Sequence, residues 1–439
     1  MTRWSIPRRG AAVGAHAAPL PVTGREQLVH LLGQAAEVEH GVMCQYLFAA
    51  FSLKRTTDEG VTEVQLERIR AWEEVIVEVA VDEMLHLALA TNLLTAVGAP
   101  PHLGRPDFPI LSGWYPPGVR MVLMPFGERA LQHFIHLEKP DGMEVADAIG
   151  FGAPDQPEPD RPDDLLMPEE QDWSSVGHLY RSIEAGLETL AARDGEDRVL
   201  IGPVRAQARW QAFRWHDITP VRTLADARAA IEVIIEAGEG ARGDWEQSHF
   251  GRFVGILNEL RAMRAADPGF EPARPCVPAY VEQLDTADAP VTVATDPLTV
   301  HLLDLGDATY LLTLQLLSRF FLHTTESNEQ LEALARSAVR LMAGGLRPIG
   351  IALTTLPVGP AAPGRTAGLG FAIPSPTQVL LPHRDAAWIV LTHRAAQLAE
   401  RARELAAETG IAGLAAAAER MAAVAEHLAR VAPARHTGG

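Results

Sequence analysis

At 439 residues the chain can bury a large core and has length for two or three domains. A net charge of −18 excludes the basic face that nucleic acid or an anionic membrane needs, and no apolar run is long enough to span a bilayer. Two distant cysteines, Cys44 and Cys276, make neither a disulfide framework nor a thiolate metal site, so a cytoplasmic protein is expected.

Residues 1–22 hold an Arg pair and a weakly apolar Gly/Ala stretch, expected to be a flexible tail and not an export signal. One long helix is predicted over Glu26–Lys54. A second covers Thr62–Val97 and is stopped by Gly98-Ala99-Pro100-Pro101. The excursion 100–172 reads as irregular over His102–Pro117, extended over Val119–Met124 and helical over Glu128–Glu138. Its last part, Gly152–Asp172, is dense in Pro and Asp and is expected to be a surface loop. Helices follow at Ser174–Arg193, Leu224–Gly238 and Ser248–Ala266, with a Gly-rich break before the last. Beyond the Pro-rich crossover Pro268–Pro297 come helices at His301–Leu322 and Asn328–Met342. A Gly/Pro-rich connection, Gly344–Pro382, then leads to an Ala-rich helical pair over Arg384–Val431. The expected division is a tail (1–22), a bundle (23–265) carrying the insertion 100–172, and a further helical region (266–439) packed on the bundle.

The chemistry begins in the second helix. Glu83 and His86 stand three residues apart, on one face of a helix that is otherwise almost wholly apolar. Burying an ionised Glu there is costly unless a partner compensates it. Glu-x-x-His is the arrangement from which helical bundles build carboxylate-bridged two-metal sites. In the first helix, Glu39 falls on the core-facing stripe of Leu28, Leu32, Ala36, Met43 and Tyr46, whereas Glu37 points away. His40 suits a hydrogen-bonding role, and Glu78 or Asp82 could orient His86 from outside the ligand set. Glu184 lies at the edge of the third helix's stripe, one turn after Tyr180. In the fourth, Ile231, Ile234 and Ile235 make the apolar face, so Glu232 and Glu236 should be exposed. After the Gly-rich break, Glu246 and His249 repeat the Glu-x-x-His letters. The break spoils the helical phase, leaving open whether Glu236, Glu239 or Glu246 accompanies His249.

The strings EVEHGVMCQYLFAAFSLK, DEMLHLALATNLLTAVGAPP, AIEVIIEAGEG with SHFGRF, and LMAGGLRPIGIALTTLPVGPAAPGRTAGLGF together resemble the ferritin-like iminophenylpyruvate dimer synthase family, of the violacein and chromopyrrolate synthase type. The resemblance implies an all-α fold: a ferritin-like four-helix bundle with long insertions and additional C-terminal helices. It carries metal-ligand candidacy onto Glu39, Glu83, His86, Glu236 and His249, and includes Glu236 despite its periodicity. General ferritin-like logic adds Glu184.

The expected function is that of a non-haem iron oxidase or oxygenase, most simply di-iron, with mononuclear iron or manganese as alternatives. It would use O2 or peroxide on an amine, imine or amino-acid-derived small molecule in specialised metabolism, oxidative imine coupling among the options. A homo-oligomer is left open. The competing class is a ferritin-like iron-storage or peroxide-protection protein, and a metal-free binding protein is a third. Met43 and Tyr46 are expected to wall the cavity.

Overall fold

The computed structural model describes residues 16–111, 115, 119–148, 168, 171–240, 245–285, 287–360, 362–373, 380–411 and 413–433. The expected tail and the loop Gly152–Asp172 therefore lie largely outside the described residues. In chain order the first helices are α1 (Arg25–Ser52), α2 (Glu63–Ala96), α3 (Glu128–Leu137), α4 (Val176–Asp194) and α5 (Glu196–Val199). Next come α6 (Trp210–Phe213), α7 (Leu224–Glu239), α8 (His249–Ala266) and strand β1 (Cys276–Ala279). The remainder is α9 (Pro297–Phe321), α10 (Asn328–Leu341), α11 (Arg347–Leu353), strand β2 (Thr366–Leu369), α12 (Arg384–Thr409) and α13 (Leu414–Val431).

The chain forms two compact units. The first contains α1–α5, α7 and α8. Of these, α2, α4, α7 and α8 start where polar side chains supply acceptors for orphan N–H groups. The Thr62 hydroxyl accepts from Gln65 N at the head of α2, and the Gln65 side chain answers the Thr62 N–H. Thr223 and Asp226 do the same for α7. A closed ring results: α1 packs on α2 and α4, and α7 packs on α4 and α2. α1 is buried on nearly every side from Gln34 to Ser52, as its Ala- and Leu-rich sequence requires. The excursion between α2 and α4 is not peripheral to this ring, because α3 lies along α8, which also touches α2. Over Val119–Met124 the expected extended piece appears as a bridge between Met121 and Ile110.

The second unit contains α6, α9–α13 and the strands. α9 packs on α10, α11 and α12, and α12 lies along α13. β1 and β2 form a parallel pair, Cys276 opposite Thr366 and Ala279 opposite Leu369. Here the sequence reading needs correction. The segment expected as an irregular connection after Gly344 opens as a π-helical turn, Met342–Leu346, that runs on into α11. Two glycines weaken a helix on propensity alone. Gly344 and Gly345 are nevertheless buried, and their missing side chains leave room for the close approach of Arg420 and Met421 from α13.

Candidate metal centre

Five buried side chains meet in the middle of the ring. α1 contributes Glu39, α2 contributes Glu83 and His86, the C-terminal cap of α3 contributes Glu138, and the first residue of α8 contributes His249. Glu39, Glu83, His86 and His249 are each 2% exposed and Glu138 is 9% exposed. They form two triads, Glu39–Glu83–His86 and Glu83–Glu138–His249; within each, the potential ligand atoms lie within 4.8 Å of one another. Glu83 belongs to both. Its Oε2 is 2.9 Å from His86 Nδ1, and its Oε1 is 2.8 Å from His249 Nδ1.

Three buried carboxylates so close together cannot all ionise without opposite charge. Burial, reinforced by the Glu83 charge, pushes the Glu39 carboxyl well above the usual carboxylate range. Burial also raises Glu83 and lowers His86. His249 goes the other way: burial opposes its charge, but Glu83 and the contacts with Asp82 and Glu138 hold the imidazole well above its ordinary value. Glu138 is lowered, the cost of burial being outweighed by His249 and the Tyr46 hydroxyl.

Surrounding groups orient the cluster. The Tyr180 hydroxyl of α4 donates to Glu39 Oε1 at 2.7 Å, and the Tyr46 hydroxyl donates to Glu138 Oε1. His249 Nε2 lies 3.3 Å from Asp82 Oδ2. A cation that displaced the Nδ1 proton would leave Nε2–H directed at that carboxylate and the Nδ1 lone pair facing the cluster, as in carboxylate–histidine–metal arrangements. Val38, Val42, Val176 and Ile234 form the apolar part of the wall of a cavity of about 20 Å³, with Lys139 and Glu239 at its edge. About 10–15 Å³ is enough for one water, so this space admits small ions or water but no organic molecule.

Several expected residues are placed elsewhere. Glu184 pairs with Arg228 across the surface, Oε1 to Nε 2.9 Å. The α4 residue that reaches the cluster is Tyr180, one turn earlier on the same face. Glu236 is exposed on α7, as its periodicity indicated, and stands outside the cluster. Glu246 is exposed too. Glu239 is buried but paired with Arg181, 3.3 Å from Nη1, and accepts from Asp141 N. None of these three accompanies His249; Glu138 does, with Oε2 3.7 Å from Nδ1. Glu37 pairs with His102 at 2.6 Å, away from the centre. Asp82 orients His249, not His86, while Glu78 lies near Arg252.

Glu138 was missed because it sits in the excursion, at the end of a short helix. A signal was present nevertheless. Leu131, Phe134, Ile135 and Glu138 recur at helical spacing, so the apolar stripe of α3 continues into the acid.

The family model described as ferritin-like matches residues 32–258. The chain belongs to the ferritin-like family. It is 27% identical over 428 residues to dichlorochromopyrrolate synthase of Lentzea aerocolonigenes, covering 88% of this chain and 40% of that protein. It is 30% identical over 380 residues to 2-imino-3-(indol-3-yl)propanoate dimerase of Chromobacterium violaceum, covering 80% of this chain and 34% of that protein. Both relatives are biosynthetic enzymes by name, and the chain spans less than half the length of either. A solved structure of a ferritin-like protein from Caulobacter vibrioides has a TM-score of 0.42 and 19% identity, covering 66% of this chain and 85% of that one. Among the described residues, no helix is long and apolar enough to cross a membrane.

Proposed function

We propose that the five-residue cluster holds two metal ions, iron in the simplest case, and that the protein is an oxidative enzyme of specialised metabolism acting on imines of aromatic amino acids. The observation that carries the reading is Glu83, buried and shared between two triads that each include an imidazole. The donor set suits the assignment. His86 Nε2 is buried with no hydrogen-bond partner among the described residues, and Glu83 Oε1 and His249 Nδ1 face each other at 2.8 Å without hydrogen-bond geometry, which is expensive unless something else satisfies such atoms. Three carboxylates with two imidazoles are the ligand types of ferritin-like two-metal bundles, one carboxylate short of their four-Glu, two-His set, Tyr180 standing on the α4 face where a further Glu was expected.

In this reading Glu39 and His86 would hold one ion, Glu138 and His249 the other, and Glu83 would serve both. Tyr180 and Tyr46 fix the two terminal carboxylates, and Asp82 holds the far side of the His249 ring. Iron held there would supply redox chemistry for oxidation of a bound amine or imine, with O2 or peroxide as the oxidant. The apolar part of the cavity wall limits the water there. The similarity to the indolyl-imine dimerase supports an aromatic imine as the substrate class, with oxidative coupling as the reaction.

Oxygen consumption by the iron-loaded protein tests this function. With an aromatic α-imino acid generated in place by an amino-acid oxidase, uptake should exceed that of the oxidase alone and a coupled dimeric product should appear only when the iron-loaded protein is present. Oxygen uptake driven by ferrous iron alone, with many irons deposited per chain, would instead mark a storage protein.

A further inference from the structure

The metal cavity has no room for an aromatic acid, so a substrate has to lie beside it. Among the described residues, two larger cavities that adjoin it stand out. The first, about 370 Å³, shares Ile235 and Glu239 with the metal cavity. Its wall carries the carboxylates of Asp141, Glu184, Glu232, Glu236 and Glu239, with His16, Arg181 and Arg228 as the basic groups. Those groups are already paired: His16 with Asp141, Arg181 with Asp141 and Glu239, Arg228 with Glu184 and Glu188. An incoming carboxylate would meet surplus negative charge there.

The second cavity, about 210 Å³, shares Val38, Leu137, Lys139 and Val176 with the metal cavity. Among the described residues no carboxylate lines it. Lys139 is half-buried and has no ion-pair partner among the described residues; Glu144 and Asp147 act on it at longer range. Trp173 forms part of the same wall. It is 4% exposed, and its indole N–H has no hydrogen-bond partner among the described residues. A dry cavity of about 150 Å³ accepts benzene, so this space is large enough for an aromatic ring.

We propose that this second cavity is the substrate pocket, taking an aromatic α-imino or 2-oxo acid with its carboxylate on the Lys139 ammonium and its ring against Val38, Val119 and Trp173. The placement rests on the oxidative reading above. Lys139 sits between pocket and metal cavity, so a carboxylate bound to it sets the adjacent imine carbon toward the metal side. Lys139 is a positioning and specificity residue here.

The test is a binding titration of the iron-loaded protein with indole-3-pyruvate, a stable 2-oxo acid, and with indole, which lacks the carboxylate. Lys139→Met should weaken the acid about 30-fold or more, as losing one partner of a buried charge pair does. Indole affinity and iron content should stay unchanged, and Lys139→Arg should keep acid binding within a few-fold. Unchanged acid affinity in Lys139→Met, or a comparable loss in Arg181→Met, would overturn the placement while leaving the oxidative reading standing. Equal loss of acid and indole binding in Lys139→Met would mean that the lysine only shapes the cavity, and overturns it too. Failure of the unaltered protein to bind either compound removes the aromatic-acid substrate and the pocket together.

Discussion

The imidazoles of His86 and His249 lie 5.6 Å apart, centroid to centroid, inclined by 29°, with the Glu83 carboxylate between them. Separated by a long stretch of chain, they meet because α2 runs antiparallel along α8, with Trp72 on Glu259, Glu78 near Arg252 and Asp82 on His249. Each faces a different oxygen of Glu83, at 2.9 and 2.8 Å.

The first prediction separates ligands from neighbours. Glu138→Ala should lose one of the two metal ions, whereas Glu184→Ala and Glu236→Ala should load normally. Glu184 makes only an exposed, solvent-screened pair with Arg228, so its loss should barely move the unfolding midpoint. Metal content of the three purified variants, measured side by side, decides the matter.

Tyr180→Phe removes the hydroxyl that donates to Glu39 and nothing else. Loss of such an outer partner typically costs about 10–100-fold in metal affinity. Competition with a chelator should register that fall while helix content stays the same. Unchanged affinity would show that Glu39 is held without Tyr180.

Gly251 controls the position of His249. A Cβ there would stand 1.8 Å from the Trp245 carbonyl oxygen, a backbone atom that cannot swing aside. Ser248 caps α8 by accepting from Gly251 N at 3.3 Å, so a shift of this turn displaces the first helical residue, His249. Gly251→Ala should cost roughly 1–3 kcal/mol, as overpacking does, and lower metal loading as well. Urea unfolding and metal analysis of this variant check both effects.

In the second unit, burial raises Asp307 to about 8, with the charges of Asp107 and Asp304 acting in the same direction. Its unfolded value is about 3.9. Between these two values the unfolded chain gives up a proton that the folded chain retains. Asp307's contribution to stability is therefore fully present below about pH 3.9, declines as pH rises, and is gone above about pH 8. Asp307→Asn should flatten that fall, measured as the change in urea midpoint between pH 5 and pH 8.5 in both proteins.

Periodicity located most of the long helices, because burial of apolar stripes is what their sequences encode. Glu39, Glu83 and His86 were legible for the same reason: each is polar on a face that has to be dry. Three features were not. Tyr180 occupies the place assigned to Glu184, since both share one face of α4 and only the tertiary approach of α1 decides which turn touches the centre. Glu138 lies in an excursion where the stripe of α3 marks it as inward-facing, but the packing on α8 that brings it to the centre is a tertiary contact. For α7, periodicity was right about Glu236 against the residue inferred from resemblance. α11 was hidden by glycines that serve close packing and that propensity reads as a break.

Metal stoichiometry of Glu83→Ala beside the unaltered protein tests the centre most directly, after anaerobic loading with ferrous iron and removal of the unbound metal. Two ions per chain are expected in the unaltered protein and fewer than one in Glu83→Ala, with matching helix content. An unaltered protein that retains no metal, or a Glu83→Ala variant that retains two ions, would contradict a centre bridged by this carboxylate.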